Sequence, residues 1–195
     1  MKNRTIKNWK FVFLVLFIPS LFLKASFLAA NSSLQQIEGF TKANQLVDSG
    51  EYEQAIVLLN HLINQNPKDV EAFFLRGNAF YQLREFDRAM VDFRKTVQID
   101  PKFAMGHQSM GMVYYREGKL NDSIVSFDRA ITFDPELGIA YYNRGISFLH
   151  KQRYDLSLSD FLKASKLGVE VDAHLLKQLN YDEKETPQGD LPIKA

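Results

Sequence analysis

The chain has 195 residues, with 24 Lys+Arg against 23 Asp+Glu for a formal net charge of +1, and it is 46% hydrophobic and 13% aromatic. That length and apolar fraction fit one domain with appendages and a core to bury. It contains no cysteine, which excludes a disulfide framework, a thiol nucleophile, a thiolate zinc site and a lipid on a leader cysteine.

The near-neutral total conceals a split. Residues 1–30 carry Lys2, Arg4, Lys7, Lys10 and Lys24 and no acidic residue, which leaves 19 basic and 23 acidic side chains, a net of −4, for residues 31–195. An apolar stretch runs from Phe11 to Leu23, broken only by Pro19 and Ser20, and the small residues Ala25, Ser26, Ala29 and Ala30 follow it. A basic start, an apolar centre and a small-residue end are the layout of a secretory signal peptide. The stretch falls short of the roughly 20 residues of a stable span. The alternative is an N-terminal inner-membrane anchor over residues 11–30, with Lys24 snorkelling to the interface. Both readings export residue 31 onward, and the leader style points to the periplasm or cell envelope of a bacterium, with membrane contact only through residues 1–30 if they are not cleaved.

Beyond the leader, a period organises the chain. Asn66-Pro67, Asp100-Pro101 and Asp134-Pro135 recur at intervals of 34 residues and define four blocks, 36–69, 70–103, 104–137 and 138–171. The eighth place of the blocks holds Ala43, Gly77, Gly111 and Gly145, and the twenty-fourth holds Leu59, Phe93, Phe127 and Phe161. Apolar residues recur at helical spacing, a turn interrupts them, and a second helical run follows. Small residues at place eight let two antiparallel helices approach, and large residues at place twenty-four fill the space beside that contact. Proline then stops the second helix, because it lacks a donor and disfavours helix in the residue before it.

This pattern resembles the tetratricopeptide repeat, a helix–turn–helix unit of 34 residues. Segments such as Ala140-Tyr-Tyr-Asn-Arg-Gly145 and Tyr154 through Ala164 are similar to ordinary members of that family. The resemblance implies an all-α solenoid, a right-handed superhelix of helix pairs over residues 31–180. One pair cannot bury its faces alone, and stacking four makes a continuous core.

The ends of the array depart from the period. Ser33-Leu-Gln-Gln36 reads as a capping box opening the first helix, and the first block has Gly39 at place four and Lys42 at place seven. The fourth block ends in Leu167-Gly168-Val169 without a proline, and Asp172 reads as the N-cap of a further helix over 172–180. Leu175, Leu176 and Leu179 give that helix an apolar side suited to capping the solenoid. Residues 181–195 are polar, contain Pro187 and Pro192, and read as a flexible tail.

Place seven and place twenty-three vary together. Blocks two and four pair Arg76 with Asp92 and Arg144 with Asp160, whereas block three has Met110 and Ser126 and block one Lys42 and Leu58. Residues that switch together predict an ion pair between the two helices of a repeat, with a structural role.

No catalytic pattern emerges. His61, His107, His150 and His174 are scattered and never fall in a His-Glu-x-x-His spacing, and His107 stands at a place suited to a packed core residue. No Gly-x-Ser-x-Gly turn and no phosphate-binding glycine loop is present. The chain is therefore expected not to be an enzyme, and no metal or cofactor is expected. The net −4 after the leader and the lack of a basic stripe disfavour nucleic acid.

The resemblance implies where a ligand would lie. In the family, places two, five, six, nine, twelve and thirteen of the first helices face a concave groove. Here the candidate peptide-binding set is Phe40, Asn44, Phe74, Asn78, Tyr81, Gln108, Met112, Tyr115, Tyr142, Asn143 and Ile146. Place thirteen holds Asp48, Gln82, Arg116 and His150. Where a carboxylate-clamp subfamily has Lys, Asn and Arg, this chain has Phe40, Phe74, Ser109 and Ile139, so that clamp is not expected. An aromatic and aliphatic groove with asparagines suits an amphipathic helix or extended apolar segment of another protein. The expected function is a non-catalytic adaptor in the cell envelope. The alternative is a self-associating structural solenoid or membrane-anchored assembly factor whose groove is unused.

Overall fold

A computed structural model describes residues 34–185. The leader at 1–30, the first residue of the proposed capping box (Ser33) and residues 186–195 lie outside the described residues. Within them the chain is helical with no strand: α1 (34–48), α2 (Tyr52–Gln65), α3 (Val70–Gln82), α4 (Phe86–Ile99), α5 (Ala104–Arg116), α6 (Leu120–Phe133), α7 (Gly138–His150), α8 (Tyr154–Lys166) and α9 (Ala173–Glu185).

The asparagine– and aspartate–proline pairs end the second helices as the sequence predicts. Asn66, Asp100 and Asp134 all take extended backbone angles as C-caps, the conformation a following proline enforces. Their side chains then close the turn. Asn66 Oδ1 accepts from the Lys68 backbone N–H at 3.2 Å, Asp100 Oδ1 from Lys102 at 3.0 Å and Asp134 Oδ1 from Glu136 at 3.0 Å, and each is an Asx turn.

Packing follows the repeat. α3 packs on α4, α5 on α6 and α7 on α8, and each second helix also packs on the first helix that follows it. At the centre of each pair a phenylalanine ring lies over a glycine. A Cβ added at Gly77 would stand 2.6 Å from Phe93, one at Gly111 2.5 Å from Phe127, and one at Gly145 2.9 Å from Phe161. All three rings are almost fully covered. Burying an aromatic of this size removes some 150–250 Å² from water, and the missing side chain at place eight makes the room.

The predicted ion pair is present twice. Arg76 Nε and Nη2 donate to Asp92 Oδ2 and Oδ1 at 2.8 and 2.7 Å, and Arg144 does the same to Asp160 at 2.8 and 2.7 Å. Each guanidinium has a further arm that the sequence reading missed. Arg76 Nη1 donates to Asn60 of α2 at 2.6 Å, and Arg144 Nη1 pairs with Asp128 of α6. One arginine therefore ties three helices, two in its own repeat and one in the repeat before. Burial works against the charge of Arg144, but the hydrogen bonds it donates to Asp160 and Asp128 outweigh it and hold the pKa above the ordinary arginine value.

His107 is buried, as expected of a packed histidine. Its Nε2 is 2.9 Å from the Pro101 carbonyl oxygen, and its ring is 5.3 Å from that of Phe133. At the C-terminal end Asp172 caps α9 by accepting from the His174 backbone N–H at 2.8 Å. The helix runs past the predicted end at residue 180 to Glu185, so the first five residues of the expected tail are helical. Tyr181-Asp-Glu-Lys-Glu185 contains no helix breaker, and the first proline is Pro187.

Candidate functional groove

Which side of the array is concave follows from the contacts between alternate helices. α3 touches α5 and α5 touches α7, whereas α4 and α6 do not touch. The row of first helices is the shorter side, and it faces inward.

On this row five predicted residues converge. Tyr81, Met112, Tyr115, Asn143 and Ile146, together with Arg116 and Phe127, line a cavity of about 300 Å³ that spans repeats two, three and four. Phe127, the core ring seated against Gly111, borders this cavity from beneath while remaining almost fully covered. Two hydrogen bonds cross the seams between repeats here. Arg116 Nε donates to the Tyr81 hydroxyl at 3.0 Å, and Tyr115 Oη lies 3.1 Å from His150 Nε2 with the two rings 5.3 Å apart. Both pairs join place twelve of one repeat to place thirteen of the next. The Tyr81 hydroxyl also moves the Arg116 pKa above its ordinary value.

Phe40 lies at a second hollow of about 300 Å³ in the first repeat, beside Gln36, Ile37, Thr41, Asp69 and Glu71. Asn44 and Asn78 are half-buried on α1 and α3 and line neither hollow. Phe74 and Tyr142 pack within the array. The Phe74 ring is 5.2 Å from Phe103 and 6.1 Å from Phe93, and the Tyr142 ring is 5.5 Å from Phe161. Gln108 corrects the expectation most clearly: it is only 4% exposed, with its amide 2.9 Å from the Met112 sulfur, so it supports the lining without presenting itself to a ligand.

No helix among the described residues is long and apolar enough to cross a membrane. No group of three or more His, Cys, Asp or Glu side chains that could hold a metal ion occurs among those residues.

Comparison with known proteins agrees with this architecture. A TPR repeat family model matches residues 43–84 and 111–152, and a tetratricopeptide repeat model matches residues 70–103. No curated protein sequence matches the chain. Among solved structures, pilF of Pseudomonas aeruginosa is 20% identical over 77% of this chain and 69% of its own, with a TM-score of 0.69. The thermophilic TPR protein TTC0263 of Thermus thermophilus is 19% identical over 76% and 82%, with a TM-score of 0.63. MamA from Desulfovibrio magneticus RS-1 is 18% identical over 68% and 75%, with a TM-score of 0.61. At these identities the likeness is one of fold. Tetratricopeptide repeats are protein-interaction scaffolds and generally carry no catalytic site. From its four-fold period, its glycine-seated phenylalanines and these matches, the chain belongs to the tetratricopeptide repeat family.

Proposed function

We propose that this chain is an exported adaptor of the bacterial cell envelope that holds a helical or extended apolar segment of another protein in its concave groove. The observation that carries this reading is the cavity between repeats two, three and four, where Tyr81, Met112, Tyr115 and Ile146 meet Asn143 on the inward row. Aromatic and aliphatic side chains with one amide suit a segment that buries apolar groups and offers backbone partners. Export rests on the basic, apolar and small-residue order of residues 1–30.

Site-specific photocrosslinking of the full chain in intact cells tests both parts. A crosslinker at Tyr115 or Ile146 is expected to trap a partner protein, while one at Val91 on the outer helix α4, 65% exposed, traps none. Equal trapping from both faces, or products containing only this chain, would remove the groove adaptor in favour of self-association. Recovery of the chain with the cytosol after cell fractionation would remove the envelope assignment.

A further inference from the structure

Within the cavity, one side chain among the aromatic, aliphatic and amide lining carries a full charge. Arg116 is the last residue of α5, and its Nε is committed to Tyr81 across the seam to repeat two. A guanidinium carries five donors, so most remain after that bond. Among the described residues no carboxylate stands within ion-pair distance of Arg116, whereas Arg76, Arg88 and Lys119 each have one and Arg144 has two. The neighbouring Glu117 is turned to Lys119 at 2.8 Å.

We infer that Arg116 receives the carboxylate of an aspartate or glutamate side chain within an otherwise apolar partner segment. The inference rests on the groove reading and adds to it the chemistry of the partner. Three features support it. First, the Tyr81 hydroxyl holds the guanidinium in place before any ligand arrives, and a preorganised fork loses less freedom on binding. Second, the charge along the groove is graded. The ends of the four first helices are Asp48, Gln82, Arg116 and His150, an anion over repeat one and a guanidinium over repeat three. A carboxylate is repelled near Asp48 and attracted at Arg116. Third, Met112 and Ile146 line the same cavity as the guanidinium, so a partner seated there would cover the exposed cation and strengthen a charge-assisted hydrogen bond to it. The cavity has Tyr81 of repeat two on one side of Arg116 and Asn143 and Ile146 of repeat four on the other, so a segment crossing it runs past the guanidinium on both sides, which favours an internal side chain over a chain terminus.

The test uses the full-length chain and an array of 12-residue peptides, acetylated and amidated at their ends. The peptides are leucine- and phenylalanine-rich and differ only at one central position. Glu and Asp there are expected to bind about tenfold tighter than Gln and Asn, the scale of a charged hydrogen bond. Arg116→Gln is expected to erase that ratio, so that Glu and Gln peptides bind the variant alike. Added salt should shrink the ratio in the unaltered chain. Because Arg116 is exposed, the variant should keep the helical circular dichroism of the unaltered chain. Tyr115→Ala, which removes groove surface without touching the charge, should weaken every peptide. If Tyr115→Ala weakens binding but Glu and Gln peptides bind alike, the carboxylate inference falls and the groove stands. Preference for uncapped peptides without an internal carboxylate also overturns it. If no peptide binds, or Tyr115→Ala changes nothing, the groove reading and this inference fall together.

Discussion

Repeats two and four are held together differently from repeats one and three. In the first pair, a guanidinium forks onto a buried aspartate of its own second helix and reaches back to the preceding repeat. Repeat three has Met110 and Ser126 at those places; Met110 packs into the apolar cluster around Phe93 and Val113, and the Ser126 hydroxyl bonds the Asp122 carbonyl of its own helix. The turn between the helices divides the same way. It is left-handed at Gly50 and Gly118 in repeats one and three, and left-handed at Arg84 (φ 61°) and Gln152 (φ 57°) in repeats two and four. The repeats with an ion fork are those that carry a non-glycine residue in a conformation favouring glycine. One helix-pair geometry is thus reached by two routes, apolar packing with a relaxed turn or an ion fork with a strained one.

The largest effect should come from breaking the packing route. Phe127, 1% exposed over Gly111, carries repeat three without an ion fork beside it. Phe127→Ala is expected to cost about 3–5 kcal/mol. Because repeats communicate only through adjacent interfaces, urea unfolding should become two-stepped. A single transition with a loss under about 1 kcal/mol would show that packing at this place does not hold the repeat.

Breaking the ionic route should cost somewhat less. Arg76→Met strands the Asp92 carboxylate, 2% exposed, and is expected to destabilise by about 3 kcal/mol. Adding Asp92→Ser gives repeat two the pairing of repeat three and should recover part of the loss, since the buried charge goes too. If the double variant is less stable than the single one in urea unfolding, the aspartate stabilises independently of its arginine.

Moving the fork into repeat three sharpens the comparison further. Arg94 stands at the place where Asn60 and Asp128 accept the third arm of the arginines, and it donates to the Tyr114 hydroxyl at 3.3 Å. Met110→Arg with Ser126→Asp therefore sets a second cation against Arg94. Adding Arg94→Asn should make the triple variant more stable than the double by about 1 kcal/mol, the scale of a partly exposed charge contact. Equal melting temperatures would mean that Arg94 swings clear.

The sequence made much of this legible, for a physical reason. A strict period places chemically matched residues in register, so the glycine under each phenylalanine and the Arg76–Asp92 pair could be read within one block. The third arm to Asn60 or Asp128 could not, because it crosses into the block before. Its signal is nonetheless present at place twenty-five, where Asn60 and Asp128 precede the arginine repeats and Arg94 precedes the methionine repeat. The groove was legible as a row rather than residue by residue. Tyr81, Met112, Tyr115, Asn143 and Ile146 converge because they lie on helices that touch. The covering of Phe74 by Phe103 depends on the turn into the next repeat, and no single repeat contains it.

The smallest predicted effect tests whether the strained turns are a true cost. Arg84 and Gln152 sit in the left-handed region, which penalises a side chain by about 1–2 kcal/mol. Glycine relieves that penalty but gives back about 0.4–1 kcal/mol through the greater freedom of the unfolded chain. Arg84→Gly and Gln152→Gly should each therefore stabilise by about 0.5–1 kcal/mol, read as a higher urea midpoint at an unchanged slope. The reverse exchange, Gly118→Arg in repeat three, should destabilise by a similar amount; nothing lies within 4 Å of the Cβ it would add, so the cost is purely one of backbone angle. If Gly118→Arg were neutral, the alternation of turns would owe nothing to strain, and the ion forks alone would separate the two kinds of repeat.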